Sequence, residues 1–448
     1  MAAAREDLKS SGSDTEDEKE TKNFVREELA QAANWAATGV SVDKQMLAGR
    51  RANRGFTIAM GKAEPSGPAE GRREKRAQTL PSMGSRRGDY ALSEDVLQKL
   101  TETNESYKSR LRRGSTGVAW QVVPDEEFKA CWSRNASCFV CGLMTDDQKV
   151  QEERERSFTP AKNFPELPPI ISCTKGSKGF RDTSPNQDNF SIVYLNNGYS
   201  MCCCMDGHGP FGHLVSYRAV QTVPYYFINS EHFPHDIPEA LKEAFEQCQK
   251  EILALSLQEH WDVQASGSTA VAAVWKGSKV WTANVGDSRC VIGNESNRKM
   301  VFETNDHKPN DAPEKQRIEE AGGEVRSQTY PDGWTVHRIF VKGQDYPGLC
   351  MTRTIGDESV KAHGVIPTPE VQECEVDLAA QPFLILASDG VWEFLDSEFV
   401  VKAVAKKIQS DGPERTIQKL QKEARKRWRQ EEGDYCDDIT SILIQLRP

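Results

Sequence analysis

From residue 170 onward the chain carries a series of short apolar runs, several of them almost continuous in apolar residues. They span residues 190–195, 199–205, 269–275, 279–285, 289–292, 383–387 and 439–446. Runs of this length predict strands that are covered on both faces. Helical spacing of apolar residues occurs between them, at 238–259, 312–321, 399–408 and 414–429. This order of elements predicts an α/β layered fold with two sheets inside.

The first 160 residues differ from the rest in composition and in apolar pattern. An acidic stretch at 14–28 precedes a stretch rich in arginine between residues 50 and 87, and no apolar periodicity persists. Such sequence cannot bury enough apolar surface to offset its chain entropy. We therefore expect residues 1–160 to be a mostly disordered or weakly structured extension with a regulatory role, with short helices at 21–37 and 92–111. The folded domain is expected at 165–448.

Charge and hydropathy exclude several classes of protein. The formal net charge is −10, which does not favour binding to nucleic acid. No run of about 18 apolar residues exists, so we expect no membrane span. The N-terminus lacks the apolar core of a signal peptide. These features predict a cytoplasmic protein, with a nuclear location as the alternative, and we expect a monomer.

The 12 cysteines do not suggest a disulfide framework, since that inference needs a short secreted chain. Cys131, Cys138 and Cys141 form a C-x6-C-x2-C cluster. A zinc site would need a fourth ligand, and none is evident in the sequence. Free thiols, either buried or in a loosely ordered segment, are the preferred interpretation.

Four aspartates share an informative context, because each lies at the end of an apolar run beside glycine or another acid. They are Asp206, Asp287, Asp389 and Asp437. A strand end holds a carboxylate at a fixed place, and several converging carboxylates repel one another unless cations lie between them. Oxygen ligands suit Mg²⁺ or Mn²⁺. Two such ions that share a carboxylate can activate a water for attack on phosphorus.

His208 follows two residues after Asp206 in a turn flanked by glycines. Its imidazole can approach the metal ions without binding them, and it can protonate a departing alkoxide. Gly207 has no side chain to crowd its carbonyl oxygen, which is therefore accessible as a ligand.

The chain resembles the protein phosphatase 2C family, the metal-dependent serine/threonine phosphatases. Nine stretches match in the family's order over residues 170–446. They are Pro-Asn-Gln-Asp at 185–188, Asp-Gly-His-Gly-Pro at 206–210, Ser-Gly-Ser-Thr-Ala at 266–270, Ala-Asn-Val-Gly-Asp-Ser-Arg at 283–289, Asp-His-Lys-Pro at 306–309, Met-Thr-Arg-Thr-Ile-Gly-Asp at 351–357, Gly-Val-Ile-Pro at 364–367, Leu-Ala-Ser-Asp-Gly-Val-Trp at 386–392 and Asp-Asp-Ile-Thr at 437–440.

The resemblance implies a four-layer α-β-β-α sandwich, with two central antiparallel sheets flanked by helices, and a catalytic domain at 165–448. It implies two Mg²⁺ or Mn²⁺ ions bridged by Asp206, and a weaker third ion. Asp389 and Asp437 would bind the first ion, the Gly207 carbonyl the second, and Asp188 would support the second. The third site would use Asp287, Asp389 and Glu393.

The resemblance also implies the remaining roles. His208 would be the general acid, and Arg181 would hold the phosphate, with Lys178 as a rival. Residues 306–356 would form a mobile flap beside the cleft. The reaction implied is hydrolysis of phosphoserine and phosphothreonine in phosphoprotein substrates, without a phosphoenzyme.

Two departures from the family pattern support an alternative function. Gln187 stands where glutamate is frequent, and Glu393 stands where aspartate is usual. Both changes could weaken metal binding. The alternative is a pseudophosphatase, a phosphoprotein-binding module with weak or no turnover.

Overall fold

The computed structural model describes residues 122–142, 156–157, 167–178, 184–329 and 335–447. Its helices are α1 (Asp125–Asn135), α2 (Gly212–Asn229), α3 (Ile237–Glu259), α4 (Ala312–Glu320), α5 (Glu358–Lys361), α6 (Asp389–Trp392), α7 (Ser397–Asp411) and α8 (Pro413–Glu432), with a 3-10 helix at Leu378–Ala380. Its strands are β1 (Ala136–Cys141), β2 (Arg156–Ser157), β3 (Ile170–Thr174), β4 (Asp188–Leu195), β5 (Ser200–His208), β6 (Gly267–Lys276), β7 (Lys279–Val285), β8 (Arg289–Asn294), β9 (Met300–Glu303), β10 (Gly323–Thr329), β11 (Thr335–Val341), β12 (Pro347–Leu349), β13 (Ile355–Gly356), β14 (Glu370–Glu375), β15 (Pro382–Ala387) and β16 (Ile439–Gln445). None of the described helices is long and apolar enough to cross a membrane. The helices expected at 21–37 and 92–111 lie outside the described residues.

Two antiparallel sheets form the centre of the fold. The first sheet has the order β14-β7-β6-β5-β4-β1-β2, and β13 pairs with β6. The second sheet has the order β3-β16-β15-β8-β9. Apolar side chains from both sheets pack into one core between them, among them Ile192, Cys202 and Val271 from the first sheet and Leu384, Leu386 and Ile442 from the second.

Helices cover the outer face of each sheet. On one side α2 packs on β4, β5 and β6 and also contacts α3. On the other side α7 and α8 share a core with the second sheet, which includes Val401, Leu420 and Trp428. The sequence of layers is therefore helix, sheet, sheet, helix. The predicted sandwich of two antiparallel sheets flanked by helices is confirmed.

The folded unit begins earlier than the expected boundary at residue 165. Helix α1 and strand β1 lie within the range 1–160, and β1 pairs with β4 as an integral strand of the first sheet. Phe128, Trp132 and Phe139 are fully buried. Burial of such large apolar side chains fixes this segment to the domain. For residues 125–141 the expectation of a disordered extension is thus wrong, while residues 1–121 lie outside the described part.

The flap carries a sheet of its own. Strands β10, β11 and β12 pair in that order within residues 306–356. They share a small core with helices α4 and α5 that includes Ile318, Ile339 and Leu349. We call β10–β12 the flap sheet.

All 12 cysteines lie within the described residues and are free thiols, and Cys374 alone among them is not buried. Cys131, Cys138 and Cys141 are buried. Within the described ranges, no three histidine, cysteine or acidic side chains form a group that could hold a metal ion. The three thiols are therefore packed as small apolar side chains, in agreement with the preferred interpretation.

Candidate active site

Two carboxylates face each other across the first sheet. Asp188 opens β4, and its register partner in β5 is Asp206. Both residues are fully buried. Directly opposed residues in an antiparallel pair have Cβ atoms only about 5 Å apart, so like charges there are unfavourable. Burial raises the cost of both charges unless something neutralises them. This pair is therefore suited to a bound cation.

Two further carboxylates lie at one edge of the second sheet. Asp389 follows the end of β15, and Asp437 precedes the start of β16. The register pairs Ala387 with Ser441, so the two antiparallel strands bring both aspartates to the same edge. Asp389 and Asp437 are buried.

Ser388 connects the two sheets at this edge. Its hydroxyl donates to Asp188 Oδ2 at 2.7 Å. The Ser388 hydroxyl oxygen also accepts a hydrogen bond from the Thr440 amide at 3.0 Å. A residue directly after β15 of the second sheet thus fixes a carboxylate of the first sheet. This contact brings the pair Asp188 and Asp206 to the edge that carries Asp389.

Gly207 lies where only glycine fits. A Cβ atom there would lie 2.3 Å from the Gly212 carbonyl oxygen. The backbone around it is held by Gln187, whose carbonyl accepts from the Gly207 amide at 3.0 Å. The Gln187 side chain donates to the Gly209 carbonyl oxygen at 2.6 Å. Gln187 therefore supports the turn that carries Gly207, a role that needs an amide and no charge.

Lys178 lies beside the ligands predicted for the first ion. Its ammonium is 3.1 Å from Asp437 Oδ1 and 3.2 Å from Asp438 Oδ2. Asp438 Oδ2 also accepts from the Gln187 amide at 2.9 Å. Arg181, the other residue predicted to hold phosphate, lies outside the described residues. Lys178 is thus the basic candidate whose position at the site is described.

His208 is held by a partner that the sequence analysis did not identify. Its Nε2 lies 2.7 Å from Asp357 Oδ2. Burial alone would raise the pKa of Asp357, but the charge of His208 and its hydrogen bond hold the pKa below the ordinary value. His208 Nδ1 is buried and has no hydrogen-bond partner among the described residues. The ring is thus held in place through Nε2.

Residues of α3 and β6 support the turn that carries Asp357. The Gly356 amide donates to Gln249 Oε1 on α3 at 2.7 Å. A Cβ atom at Gly267 would lie 2.1 Å from Asp357 Oδ2, so the adjacent strand must carry glycine there. Asp357 is the last residue of the matching stretch 351–357. Its place in this motif was the sequence signal that could have identified it. Gln249 gave no signal in the sequence.

A lysine lies against the carboxylate predicted for the third ion. Lys308 Nζ is 2.5 Å from Asp287 Oδ2. Burial alone would lower the pKa of Lys308, but Asp287, Asp306 and Glu393 hold it above the ordinary value. Glu393 follows α6, and its amide donates to the Asp389 carbonyl oxygen at 2.8 Å. Asp287, Asp389 and Glu393 thus share one region, with an ammonium in contact with Asp287.

The flap is fixed at its base by a buried carboxylate. Glu314 on α4 accepts hydrogen bonds from Arg317 at 2.8 Å, from Arg353 at 2.6 Å and from the Thr352 hydroxyl. Burial alone would raise the pKa of Glu314, but these hydrogen bonds hold it well below the ordinary value. The network ties α4 to the segment that returns from the flap sheet.

The donor set fits hard cations by its chemistry. Asp188, Asp206, Asp389 and Asp437 offer carboxylate oxygens, and Gly207 offers a carbonyl, which are the ligands that Mg²⁺ and Mn²⁺ prefer. Within the described ranges these acids do not converge into a ready group of three or more. Lys178 already contacts Asp437. An ion at this edge would therefore compete with an ammonium and draw the side chains together.

Comparison with known proteins agrees with this geometry. The family model described as protein phosphatase 2C matches residues 178–433, more than half of the chain. The chain is 31% identical over 326 residues to probable protein phosphatase 2C 61 of Arabidopsis thaliana, and this alignment covers 69% of this chain and 95% of that relative. It is 30% identical over 297 residues to probable protein phosphatase 2C 34 of the same plant, with 61% and 79% covered.

A solved structure shares the fold. The serine-threonine phosphatase 2C from Toxoplasma gondii superposes with a TM-score of 0.52 at 21% identity, over 64% of this chain and 96% of that chain. At this identity the similarity concerns the fold. Together with the matched family model and the plant relatives, it leads to one assignment: the chain belongs to the protein phosphatase 2C family of metal-dependent protein serine/threonine phosphatases.

Proposed function

We propose that this chain hydrolyses phosphoserine and phosphothreonine in proteins by direct attack of water, with two Mg²⁺ or Mn²⁺ ions and a weaker third. The observation that carries the proposal is the edge where the two sheets meet and where four buried aspartates are mounted. When bound, the ions neutralise phosphate charge and lower the pKa of the attacking water. The residues of the chain bind, orient and donate protons around them.

The four aspartates have different places in this proposal. Asp206, on β5 of the first sheet, would be shared between the two ions. Asp389 and Asp437, beside strands of the second sheet, would hold the first ion. The Gly207 carbonyl would serve the second ion, with support from Asp188. The hydrogen bond from Ser388 to Asp188 supports this division, because it keeps the ligands of both sheets in fixed register.

His208 is the proton donor for the leaving alkoxide in this proposal. Its contact with Asp357 holds the ring through Nε2, and buried Nδ1 has no hydrogen-bond partner among the described residues. A seryl or threonyl alkoxide is a poor leaving group, so proton donation has a large effect on its departure. No covalent intermediate is needed, because water displaces the alkoxide directly.

A basic side chain is needed to orient the phosphate. Lys178 and Arg181 remain the two candidates. Lys178 is supported by its position beside Asp437 and Asp438. Lys178→Met and Arg181→Met separate them, because loss of the phosphate-binding residue should raise KM for a phosphopeptide and for an aryl phosphate alike, since both carry the phosphate group. The other substitution should leave both KM values near those of the wild type.

The alternative is a phosphoprotein-binding pseudophosphatase. Its support came from Gln187 and Glu393. The hydrogen bond of Gln187 to the Gly209 carbonyl gives glutamine at this position a structural role of its own. Asp206, His208, Asp389 and Asp437 are all present and buried. The residues of the site therefore favour the enzyme.

The test is turnover of a phosphothreonine peptide by the purified full chain with Mn²⁺ and then with excess chelator. We expect turnover that needs the metal and that Asp206→Ala and Asp437→Asn reduce by about three orders of magnitude. Asp434→Asn is the matched control, because Asp434 is exposed in the same segment. Peptide binding without turnover in the presence of Mn²⁺ would support the pseudophosphatase and overturn this proposal.

A further inference from the structure

The contact between Lys308 and Asp287 has a consequence for the weaker third ion. Lys308 Nζ lies 2.5 Å from Asp287 Oδ2, where the Asp287 side chain is 1% exposed and the Lys308 side chain is 24% exposed. A divalent ion of this class binds a carboxylate oxygen at about 2.1 Å. An ammonium in direct contact with the same oxygen fills the space that such an ion would need and neutralises the charge that would attract it.

A second acid near Lys308, Asp306, already has its own cation. Arg289 binds Asp306 through two parallel hydrogen bonds, of 2.9 and 2.8 Å. Such bidentate pairs are strong and geometrically specific. Lys308 therefore remains the cation that contacts Asp287 directly.

The backbone next to Lys308 is fixed against the turn that carries Asp287. The His307 amide donates to the Gly286 carbonyl at 2.9 Å, and the Gly286 amide donates to His307 Nδ1 at 3.2 Å. The His307 carbonyl accepts from the Thr352 amide at 2.9 Å. Any exchange of cations at Asp287 must therefore come from movement of the Lys308 side chain, whose four-carbon stem is flexible.

We propose that Lys308 is a built-in cation that competes with a third divalent ion for Asp287, so that this position stays closed until the ion concentration is high. The inference rests on the proposed metal-dependent function, since it concerns the weaker of the predicted sites. It makes the third ion a concentration-dependent addition to the two tight ones. The lysine would leave Asp287 only when an ion replaces it.

The experiment measures Mn²⁺ binding to the full chain from the electron paramagnetic resonance signal of free Mn²⁺. We expect Lys308→Gln to tighten the weakest site about tenfold, a typical coupling between two competing ligands, and to leave the tight sites unchanged. Lys308→Arg keeps the charge and should keep this site weak. Lys315→Gln, which removes an exposed charge from the same flap, is the matched control.

Asp287→Asn tests whether Lys308 acts through that carboxylate. In this background Lys308→Gln should have no further effect on Mn²⁺ binding. Equal weak-site affinity in wild type and Lys308→Gln, with intact tight sites, would overturn the inference and leave the proposed function standing. Absence of tight sites in the wild type would overturn both.

A second measurement needs no variant. Reductive methylation with formaldehyde and a borohydride, read by mass spectrometry, reports how accessible Lys308 Nζ is in the native chain. We expect its rate at Lys308 to rise as Mn²⁺ fills the weak site, while the rate at Lys315 stays constant. A rate at Lys308 that does not change over this range of Mn²⁺ would also overturn the inference.

Discussion

His208 Nε2 and Asp357 Oδ2 lie 2.7 Å apart although 149 positions separate them in the chain. Both side chains are buried. The contact joins the last residue of β5 to the end of the flap, so the orientation of the proposed acid depends on how the flap packs against the first sheet. In the proposed reaction Asp357 would act through His208, as a positioning residue.

Asp357→Asn should therefore slow the step that needs a well-oriented imidazole. We expect kcat for a phosphothreonine peptide to fall by about 10- to 100-fold, with a smaller loss for an aryl phosphate, whose leaving group needs little help. KM should change little. Glu231→Gln, which removes an exposed acid between α2 and α3, is the control. Equal losses for both substrates would contradict the positioning role.

Lys178 should stabilise the metal-free chain more than the metal-bound one. Its ammonium neutralises Asp437 and Asp438, so Lys178→Met leaves buried charges uncompensated and should cost roughly 1–3 kcal/mol. With saturating Mn²⁺ the ion takes over that neutralisation. We expect the loss in Tm to be clearly larger in chelator than in Mn²⁺, as measured by calorimetry. Exposed Lys406→Met is the control, and an equal loss in both conditions would refute this account.

The Glu314 network should give the fold a specific acid sensitivity. The pKa of Glu314 is lowered in the folded state, so its ionised form stabilises the fold above the unfolded pKa of about 4.3. This contribution is lost as pH falls further, through the folded pKa. The difference in Tm between wild type and Glu314→Gln should thus be constant from pH 7 to about 5 and shrink below. Glu319→Gln, exposed on the same helix, should show no such difference.

Shortening the chain tests whether α1 and β1 belong to the domain. A chain that begins at residue 122 should be more stable than one that begins at residue 165. A chain that begins at residue 165 loses Trp132 and Phe139 from the core and leaves Arg218 without its hydrogen bond to the Val123 carbonyl. Each large apolar side chain is worth about 2 kcal/mol. We expect Tm to fall by at least roughly 5 °C; equal Tm values would restore the boundary near 165.

Buried thiols should make the folded protein resistant to mild oxidation and alkylation. Cys204 and Cys436 adjoin predicted ligands, but both are buried, and burial raises the pKa of Cys436 to about 12. Since the thiolate is the reactive form, iodoacetamide should modify neither residue within minutes at pH 8. All cysteines should react in concentrated guanidinium. Rapid native labelling of Cys204 or Cys436, located by mass spectrometry, would contradict this expectation.

The sequence predicted most strands and several helices because their apolar spacing is regular. The ranges 279–285 and 439–446 agree closely with β7 and β16, and 238–259 agrees with α3. Helix α2 was missed. It is buried on most of its surface and contains Pro224, so it lacks the one-sided periodicity that identifies a helix. Strand β1 was missed because it is separated from β4 by a long stretch without a strand pattern.

The candidate site was predictable where one residue type at a strand end carries the chemistry. Asp206, Asp389 and Asp437 belong to this class. Asp389 and Asp437 lie two residues from the ends of β15 and β16, whereas Asp206 lies inside β5, two residues before its end. The contacts of Lys178 and Lys308 were not predictable. They depend on which side chains meet after two sheets and a flap have packed together, and no local pattern contains that information.

The separate core of the flap sheet affects how cooperatively the domain unfolds. Ile318, Ile339 and Leu349 pack with one another, while the large cores lie between and outside the two central sheets. A unit with its own small core can open without the loss of contacts elsewhere. The flap can therefore unfold as a separate unit, and the contacts of Glu314 and Asp357 hold it to the rest of the domain. The rate of catalysis would then depend on the local unfolding equilibrium of the flap as well as on the rigid arrangement of the aspartates.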